Sequence, residues 1–230
     1  MHALIPAAGR SVRFGGTTLK QYAHLLGEPV MAHTIAAASA HPSVRAVTVV
    51  LAAEDGIFAE LVAPLFPRVG TVSGGDSRAQ SVLNGLQHIR ASDPDCGWVL
   101  VHDAARPCLA PESLRDLLEA GLRSDSGAIL AVPVSDTLKR ADADGRIEST
   151  LDRSCCWSAQ TPQLFPLAAL LANLAAALQR DQLPTDEAAA MELAGERPLL
   201  VPGLRSNIKI TGPEDLALAE SILRRRQVDG

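Results

Sequence analysis

Leu4-Ile5-Pro6-Ala7-Ala8-Gly9-Arg10-Ser11-Val12-Arg13-Phe14-Gly15-Gly16 runs a short apolar strand straight into small residues, glycines and isolated cations, with Lys20 soon after. Small side chains let backbone N–H groups close on an anion, and cations supply charge where phosphates would sit. A loop that leaves the first strand of an α/β sheet lies at the carboxyl edge, where such sheets bind ligands. The stretch matches neither common phosphate loop. The chain has no Gly-Lys-Ser or Gly-Lys-Thr, and Gly9 is followed by Arg10, Ser11 and Val12 before Gly15, which breaks the dinucleotide spacing. ATP hydrolysis on a Walker loop and NAD chemistry both lose ground.

Outward from this stretch, short β-like runs alternate with helical ones. Strands are predicted at His2–Ile5, Ala46–Leu51, Val69–Ser73, Trp98–His102, Ala128–Val132 and Leu199–Val201. They are apolar and often β-branched, as strands buried on both faces are. Helices are predicted at Val30–Ala40, Phe58–Val62, Ser77–Ile89 and Pro111–Arg123, with a buried one at Leu167–Leu178. A last helix has Thr211 as cap, Pro213 in its first turn, Glu214 three residues after the cap and Arg224, Arg225 and Arg226 at its end. The alternation predicts an α/β fold: a mainly parallel sheet with helices on both faces. Residues 133–157 break the rhythm. Two short alternating runs flank Ala141-Asp142-Ala143-Asp144-Gly145, a hairpin signature with too little apolar content for a core of its own. Such an arm is expected to pack on another subunit, because natural chains tend not to leave strand edges bare.

Composition bounds the partners. The chain has 230 residues, 47% of them hydrophobic and 20% charged, which suits one globular domain with an excursion. Aromatics at 3% and a net charge of -5 argue against nucleic acid as a partner. No apolar run reaches membrane-spanning length, and Pro6 and Arg10 interrupt any secretory signal, so a cytoplasmic location is expected. Cys96, Cys108, Cys155 and Cys156 form no C-x-x-C pair, which points to reduced thiols rather than a zinc site. A polyanionic substrate would need a locally basic pocket on this acidic chain.

Val99-Leu100-Val101-His102-Asp103-Ala104-Ala105-Arg106-Pro107 reads as a buried strand ending in a polar cluster. Asp103 then lies at the carboxyl edge near the glycine loop, where a carboxylate beside phosphates suits Mg²⁺. His102 reads as a hydrogen-bonded structural residue. Ser73-Gly74-Gly75-Asp76-Ser77-Arg78 follows another strand and opens a helix, with Asp76 as candidate cap and Ser81 a turn further in. Thr185-Asp186-Glu187 also resembles a cap. Asn207-Ile208-Lys209-Ile210-Thr211 resembles a short strand whose Lys209, taken alone, reads as a solvated residue.

Together these residues resemble the 2-C-methyl-D-erythritol 4-phosphate cytidylyltransferase family. The matching elements are Pro6-Ala7-Ala8-Gly9 with Arg13, Leu19-Lys20-Gln21-Tyr22, Gly74-Gly75-Asp76-Ser77-Arg78 with Ser81-Val82, Val101 to Pro107, Asp136-Thr137-Leu138-Lys139, Thr161-Pro162-Gln163, Thr185-Asp186-Glu187-Ala188 and Asn207 to Thr211. They fall in the family's order and span almost the whole chain. The resemblance differs at Ser11, where the family commonly has glycine, at Phe14, where it has methionine, and at Leu19, where it often has proline.

The resemblance implies a single Rossmann-like nucleotidyltransferase domain over residues 1–230, with 133–157 as a dimerisation arm. It implies transfer of CMP from CTP to a methylerythritol phosphate with Mg²⁺ as cofactor. Ala7, Ala8 and Gly9 would lie along CTP, with Gly75, Asp76, Ser81 and Ala104 completing its pocket. Arg13, Lys20 and Lys209 would be catalytic, and Asp103 would carry the metal. Arg106, Thr137, Arg153, Thr185 and Lys209 would bind the acceptor, Thr137 and Arg153 reaching a homodimer partner's site. The rivals are a cytidylyltransferase for another polyol phosphate, such as ribitol 5-phosphate, and a non-catalytic nucleotide-binding module on the same sheet.

Overall fold

The computed structural model describes residues 1–9 and 19–229. Arg13, and with it the departures at Ser11 and Phe14, lies outside the described residues. Strand β1 (His2–Pro6) leads through a 3-10 turn (Lys20–Tyr22) to a small ribbon, β2 (His24–Leu25) and β3 (Glu28–Pro29). Then follow α1 (Val30–Ala38), β4 (Ala46–Leu51), α2 (Ile57–Leu61), β5 (Gly70–Ser73), α3 (Arg78–Ser92), β6 (Trp98–Val101), α4 (Pro111–Gly121) and β7 (Ala128–Pro133). The arm holds β8 (Lys139–Ala141) and β9 (Ile147–Thr150). The chain returns through β10 (Trp157–Pro166), α5 (Leu167–Gln179), α6 (Glu187–Leu193), β11 (Leu199–Pro202) and α7 (Glu214–Asp229).

Seven strands form the main sheet in the order β11-β7-β10-β6-β1-β4-β5. Strands β5, β4, β1 and β6 pair in parallel, as do β11 and β7. Strand β10 lies antiparallel between β6 and β7, and its register shifts between Ala159 and Gln163. Every predicted strand of this sheet is present, within a residue or two at each end, but β10 is not among those predicted. Its polar Gln160, Thr161 and Gln163 and its internal Pro162 hide the strand signal.

Alternation along β1 divides the core between the two faces. Ala3 and Ile5 join a cluster with Met31 and Ile35 of α1, Phe58 of α2 and Leu114, Leu117 and Leu118 of α4. Leu4 points the other way, toward Val82 and Leu86 of α3, Leu170 and Leu174 of α5 and Met191 of α6. Helices therefore cover each face, which leaves the strand ends to meet a ligand. A third cluster seats Ala219 of α7 against Leu25, Val30 and Ile210.

Three local readings are corrected. Ser77, not Asp76, caps α3, its side chain accepting from the Gln80 N–H. Asp215, not Glu214, turns back at the start of α7 and accepts from Thr211 N, Thr211 Oγ1 and Gly212 N at 2.7, 2.9 and 3.0 Å. Residues 207–211 form no strand; a single backbone bond, Ile210 N to Ala105 O at 2.8 Å, ties them to the Asp103 loop. Thr185-Asp186-Glu187 is a cap as read, with Asp186 accepting from Ala189 N, but it opens the unpredicted helix α6. The arm is a two-stranded hairpin whose turn has Asp142 Oδ1 accepting from Asp144 N and Arg146 N, with Gly145 at φ +77°. No helix of the described residues is long and apolar enough to cross a membrane.

Candidate active site

The parallel strands β1, β4, β5 and β6 all end at one edge, and the segments that leave them enclose a cleft of about 640 Å³. Its walls are Pro6 at the end of β1 and Ala7 to Gly9 beyond it, Ala52 to Glu54 after β4, Gly74 to Arg78 after β5 and Asp103 to Ala105 after β6, with Lys20, Gln21, Ser81 and Lys209. Backbone bonds set the rim: Ala7 N to Val50 O at 2.8 Å, Gly74 N to Leu51 O at 2.7 Å and His102 N to Leu4 O at 2.9 Å. Gly74 has to be glycine. A Cβ there would stand 2.5 Å from the Ala8 Cβ and 2.8 Å from the Ser81 Oγ, so the two loops could not close on each other. Ser81 Oγ accepts from Gly75 N at 3.0 Å and donates to Ser77 O at 2.9 Å, which holds the glycine loop on the first turn of α3.

Asp103 is the electrostatic centre. Its Oδ2 lies 2.8 Å from Lys209 Nζ and 3.5 Å from Arg106 Nε, and its Oδ1 lies 3.3 Å from Arg78 Nη2. Burial alone would raise its pKa, but the charges of Lys209 and Arg78 outweigh burial and hold the carboxyl well below the usual carboxylate range. With two lone-pair directions per oxygen, the contacts among the described residues leave one direction on Oδ1 for a further ligand. That donor set fits Mg²⁺, which binds through one or two carboxylates plus substrate phosphates rather than an all-protein cage. Among the described residues no group of three or more acidic, histidine or cysteine side chains is arranged to hold a metal.

The described lining is not basic by count: Lys20, Arg78 and Lys209 face Glu54, Asp76 and Asp103. The described residues by themselves do not make up a basic pocket.

The structure brings Ala7, Ala8, Gly9, Lys20, Gly75, Asp76, Ser81, Asp103, Ala104 and Lys209 to one cleft. Of the other predicted residues that are described, Arg106, Thr137, Arg153 and Thr185 do not line it. Arg106 stands behind Asp103, its side chain 12% exposed, and donates from Nη1 to Asn207 O at 2.7 Å. Thr137 and Arg153 are exposed in the arm, where Arg153 donates to Ser135 O. Thr185 is exposed just ahead of the α6 cap.

Polar residues of β10 hold the loops of the site in place, and sequence reasoning gave them no such role. Thr161 Oγ1 accepts from Asp103 N at 2.9 Å and meets His102 Nδ1 at 2.9 Å. His102 Nε2 faces the Arg106 carbonyl, an acceptor only, at 3.0 Å. The imidazole therefore carries its proton on Nε2 and accepts from Thr161 on Nδ1. Burial pushes its pKa down to about 4, which keeps it neutral. Gln160 Nε2 donates to Leu204 O, and Asn207 Nδ2 donates to Thr161 O at 2.8 Å, fixing the Lys209 segment. Gln163 donates to Asp186 Oδ2 and accepts from Ala188 N, both at 2.9 Å, fixing the start of α6. The signal was there to read: three polar side chains beside Leu164-Phe165 must find partners once buried.

Comparison with known proteins covers almost the whole chain. A family model described as 2-C-methyl-D-erythritol 4-phosphate cytidylyltransferase (IspD) matches residues 1–225. A protein of that name from Tolumonas auensis is 46% identical over 227 residues, 99% of this chain and 98% of the relative. One from Acidithiobacillus ferrooxidans is 49% identical over 232 aligned positions, again 99% and 98% of the two chains. Among solved structures, a 4-diphosphocytidyl-2C-methyl-D-erythritol synthase superposes with a TM-score of 0.84 at 40% identity, covering 96% of this chain and 97% of that one. The cytidylyltransferase of the same name from Thermus thermophilus superposes with a TM-score of 0.79 at 30% identity over 96% and 98%.

Proposed function

The chain belongs to the 2-C-methyl-D-erythritol 4-phosphate cytidylyltransferase family, and from that premise we infer how this cleft works. The enzyme transfers CMP from CTP to 2-C-methyl-D-erythritol 4-phosphate, giving 4-diphosphocytidyl-2-C-methyl-D-erythritol and pyrophosphate in isoprenoid precursor synthesis. The observation that carries the site assignment is the meeting of the small-residue loop 7–9, the glycine loop 74–77, Asp103 and Lys209 around one cleft at the strand ends.

An oxygen of the acceptor phosphate attacks the α-phosphorus of CTP. A new P–O bond forms, the α–β bond breaks, and pyrophosphate leaves in line. A phosphomonoester is largely dianionic at pH 7, so no general base is needed. Catalysis is then positioning and charge stabilisation. Backbone groups of Ala7, Ala8 and Gly9 line the nucleotide, and Gly75, Asp76 and Ser81 close on the cytidine. Lys20 and Arg13 neutralise the triphosphate, and Lys209 steadies the approach of the two phosphates. Asp103 would hold Mg²⁺, which when bound supplies charge to the phosphate oxygens and offsets the carboxylates of the cleft.

The acceptor side uses Arg106, Thr185 and Lys209 of one chain with Thr137 and Arg153 of a partner subunit, the hairpin crossing between protomers. Support for that reading is the exposed arm itself, whose Ile147 is 68% exposed. Purified enzyme, assayed for pyrophosphate release with each of the four nucleoside triphosphates and with either methylerythritol phosphate or ribitol 5-phosphate, tests the whole assignment. Release is expected with CTP and methylerythritol phosphate alone; equal release with ribitol 5-phosphate would overturn the acceptor, and binding of CTP without turnover would overturn the activity.

A further inference from the structure

Glu187, at the start of α6, is 2% exposed and does not line the cleft. Its two oxygens accept from Arg78, Oε1 from Nη1 at 2.7 Å and Oε2 from Nη2 at 3.1 Å, and Arg78 Nη2 continues to Asp103 Oδ1 at 3.3 Å. Burying a carboxylate is costly unless its partner geometry is good. Here the geometry is a bidentate fork, and the position of Glu187 is fixed from the backbone side by the Asp186 cap and by Gln163 on Ala188 N.

We propose that Glu187 is a positioning residue for CMP transfer, acting through Arg78 on Asp103. The proposal rests on the reading that Asp103 and Lys209 serve the reaction. With Glu187 in place, the fork of Arg78 is committed sideways. Only one nitrogen reaches Asp103, at the longer distance, and Oδ2 stays with Lys209 at 2.8 Å. Without the Glu187 charge, Asp103 is the one carboxylate left of the two in the Arg78 pairs, and the guanidinium fork is drawn onto it. Both Asp103 oxygens are then engaged by Arg78, and Lys209 loses its anchor. Glu187 is not a base for the reaction, because both its oxygens are taken by the Arg78 fork and it does not line the cleft.

A double-mutant cycle separates action through Arg78 from a merely structural role. Glu187→Gln keeps the shape and removes the charge. It is expected to lower kcat about tenfold or more while the CTP dissociation constant, measured by calorimetry without acceptor, moves by less than about threefold. In an Arg78→Met background the same change is expected to cost less than about twofold in kcat, because its route to Asp103 is already gone. Glu187→Asp, which keeps the charge on a shorter arm, should recover part of the loss. Unchanged kcat in E187Q would overturn the proposal. So would an equal loss in both backgrounds, or a loss of kcat that merely tracks a fall in Tm and CTP affinity. Should E187Q not fold, E187D and Arg78→Lys carry the same cycle, with non-additive losses supporting the proposal and additive ones contradicting it. A wild-type enzyme that fails to turn over CTP would instead sink the functional reading and the proposal with it.

Discussion

Lys20 opens the 3-10 turn, and its two neighbours tether that turn to the rest of the site. Gln21 Nε2 donates to Ala7 O at 3.1 Å, and the Tyr22 hydroxyl donates to Asp55 Oδ2 at 2.6 Å, the same Asp55 that caps the start of α2. These bonds fix the turn that carries Lys20, so its backbone needs little rearrangement when charge grows on the α-phosphate. Lys20→Ala is therefore expected to lower kcat by about 100–1,000-fold, the effect of removing one preorganised donor, with a much smaller change in CTP affinity. Single-turnover kinetics beside calorimetry check this, and near-native turnover would remove Lys20 from its role. At this scale the sequence was legible where a residue sits in an ordered motif and silent where it acts through another. Lys209 alone looked like a solvated surface residue, 40% exposed, yet its ammonium makes the shortest ion pair to Asp103. Arg78 and Glu187 stood in matched motifs, but their pairing was not legible, because a buried fork depends on residues 109 positions apart.

Among the elements, β10 carries the lesson. Helices with apolar periodicity and strands with uninterrupted apolar runs were readable from local pattern. An antiparallel strand with Pro162 inside it was not, because its side chains serve neighbouring loops rather than a continuous apolar face. Thr161→Val tests that role. The change keeps the shape but leaves Asp103 N–H and His102 Nδ1 without their partner, and each buried unsatisfied group costs about 1–3 kcal/mol. Urea unfolding should register that loss, and turnover should fall as the Asp103 loop loosens. A variant of native stability would show that Thr161 is dispensable to the loop. The hairpin was legible for the opposite reason: its turn chemistry is local, and Asp142 and Gly145 do what such a turn requires.

For the whole molecule, pH dependence follows from the buried first strand. His2 bonds Thr48 Oγ1 at 2.8 Å, and burial pushes its pKa down from 6.5 to about 4. Above pH 6.5 the histidine is neutral in both states and its contribution is complete. As pH falls from 6.5 toward 4 the unfolded chain takes up the proton first, so stability drains away at up to about 1.4 kcal/mol per pH unit. His102, also lowered to about 4, adds the same trend. Urea titrations at pH 7 and pH 5 should show the loss, and His2→Gln should reduce it; an unchanged slope in that variant would place the effect elsewhere. Assembly belongs to this scale too. Wild-type protein is expected to sediment as a dimer and an arm-deleted chain as a monomer. Arg153→Ala should raise the KM for methylerythritol phosphate with CTP affinity intact.

The claim on which the rest stands is that the triphosphate lies at the exit of β1. A crystal structure with CTP and magnesium tests it most directly. Phosphate oxygens are expected within hydrogen-bond reach of the Ala7–Gly9 backbone, with the cytosine against Gly75 and Ser81. A nucleotide bound away from that edge, with the cleft between Gly9, Gly74 and Asp103 still open, would contradict it.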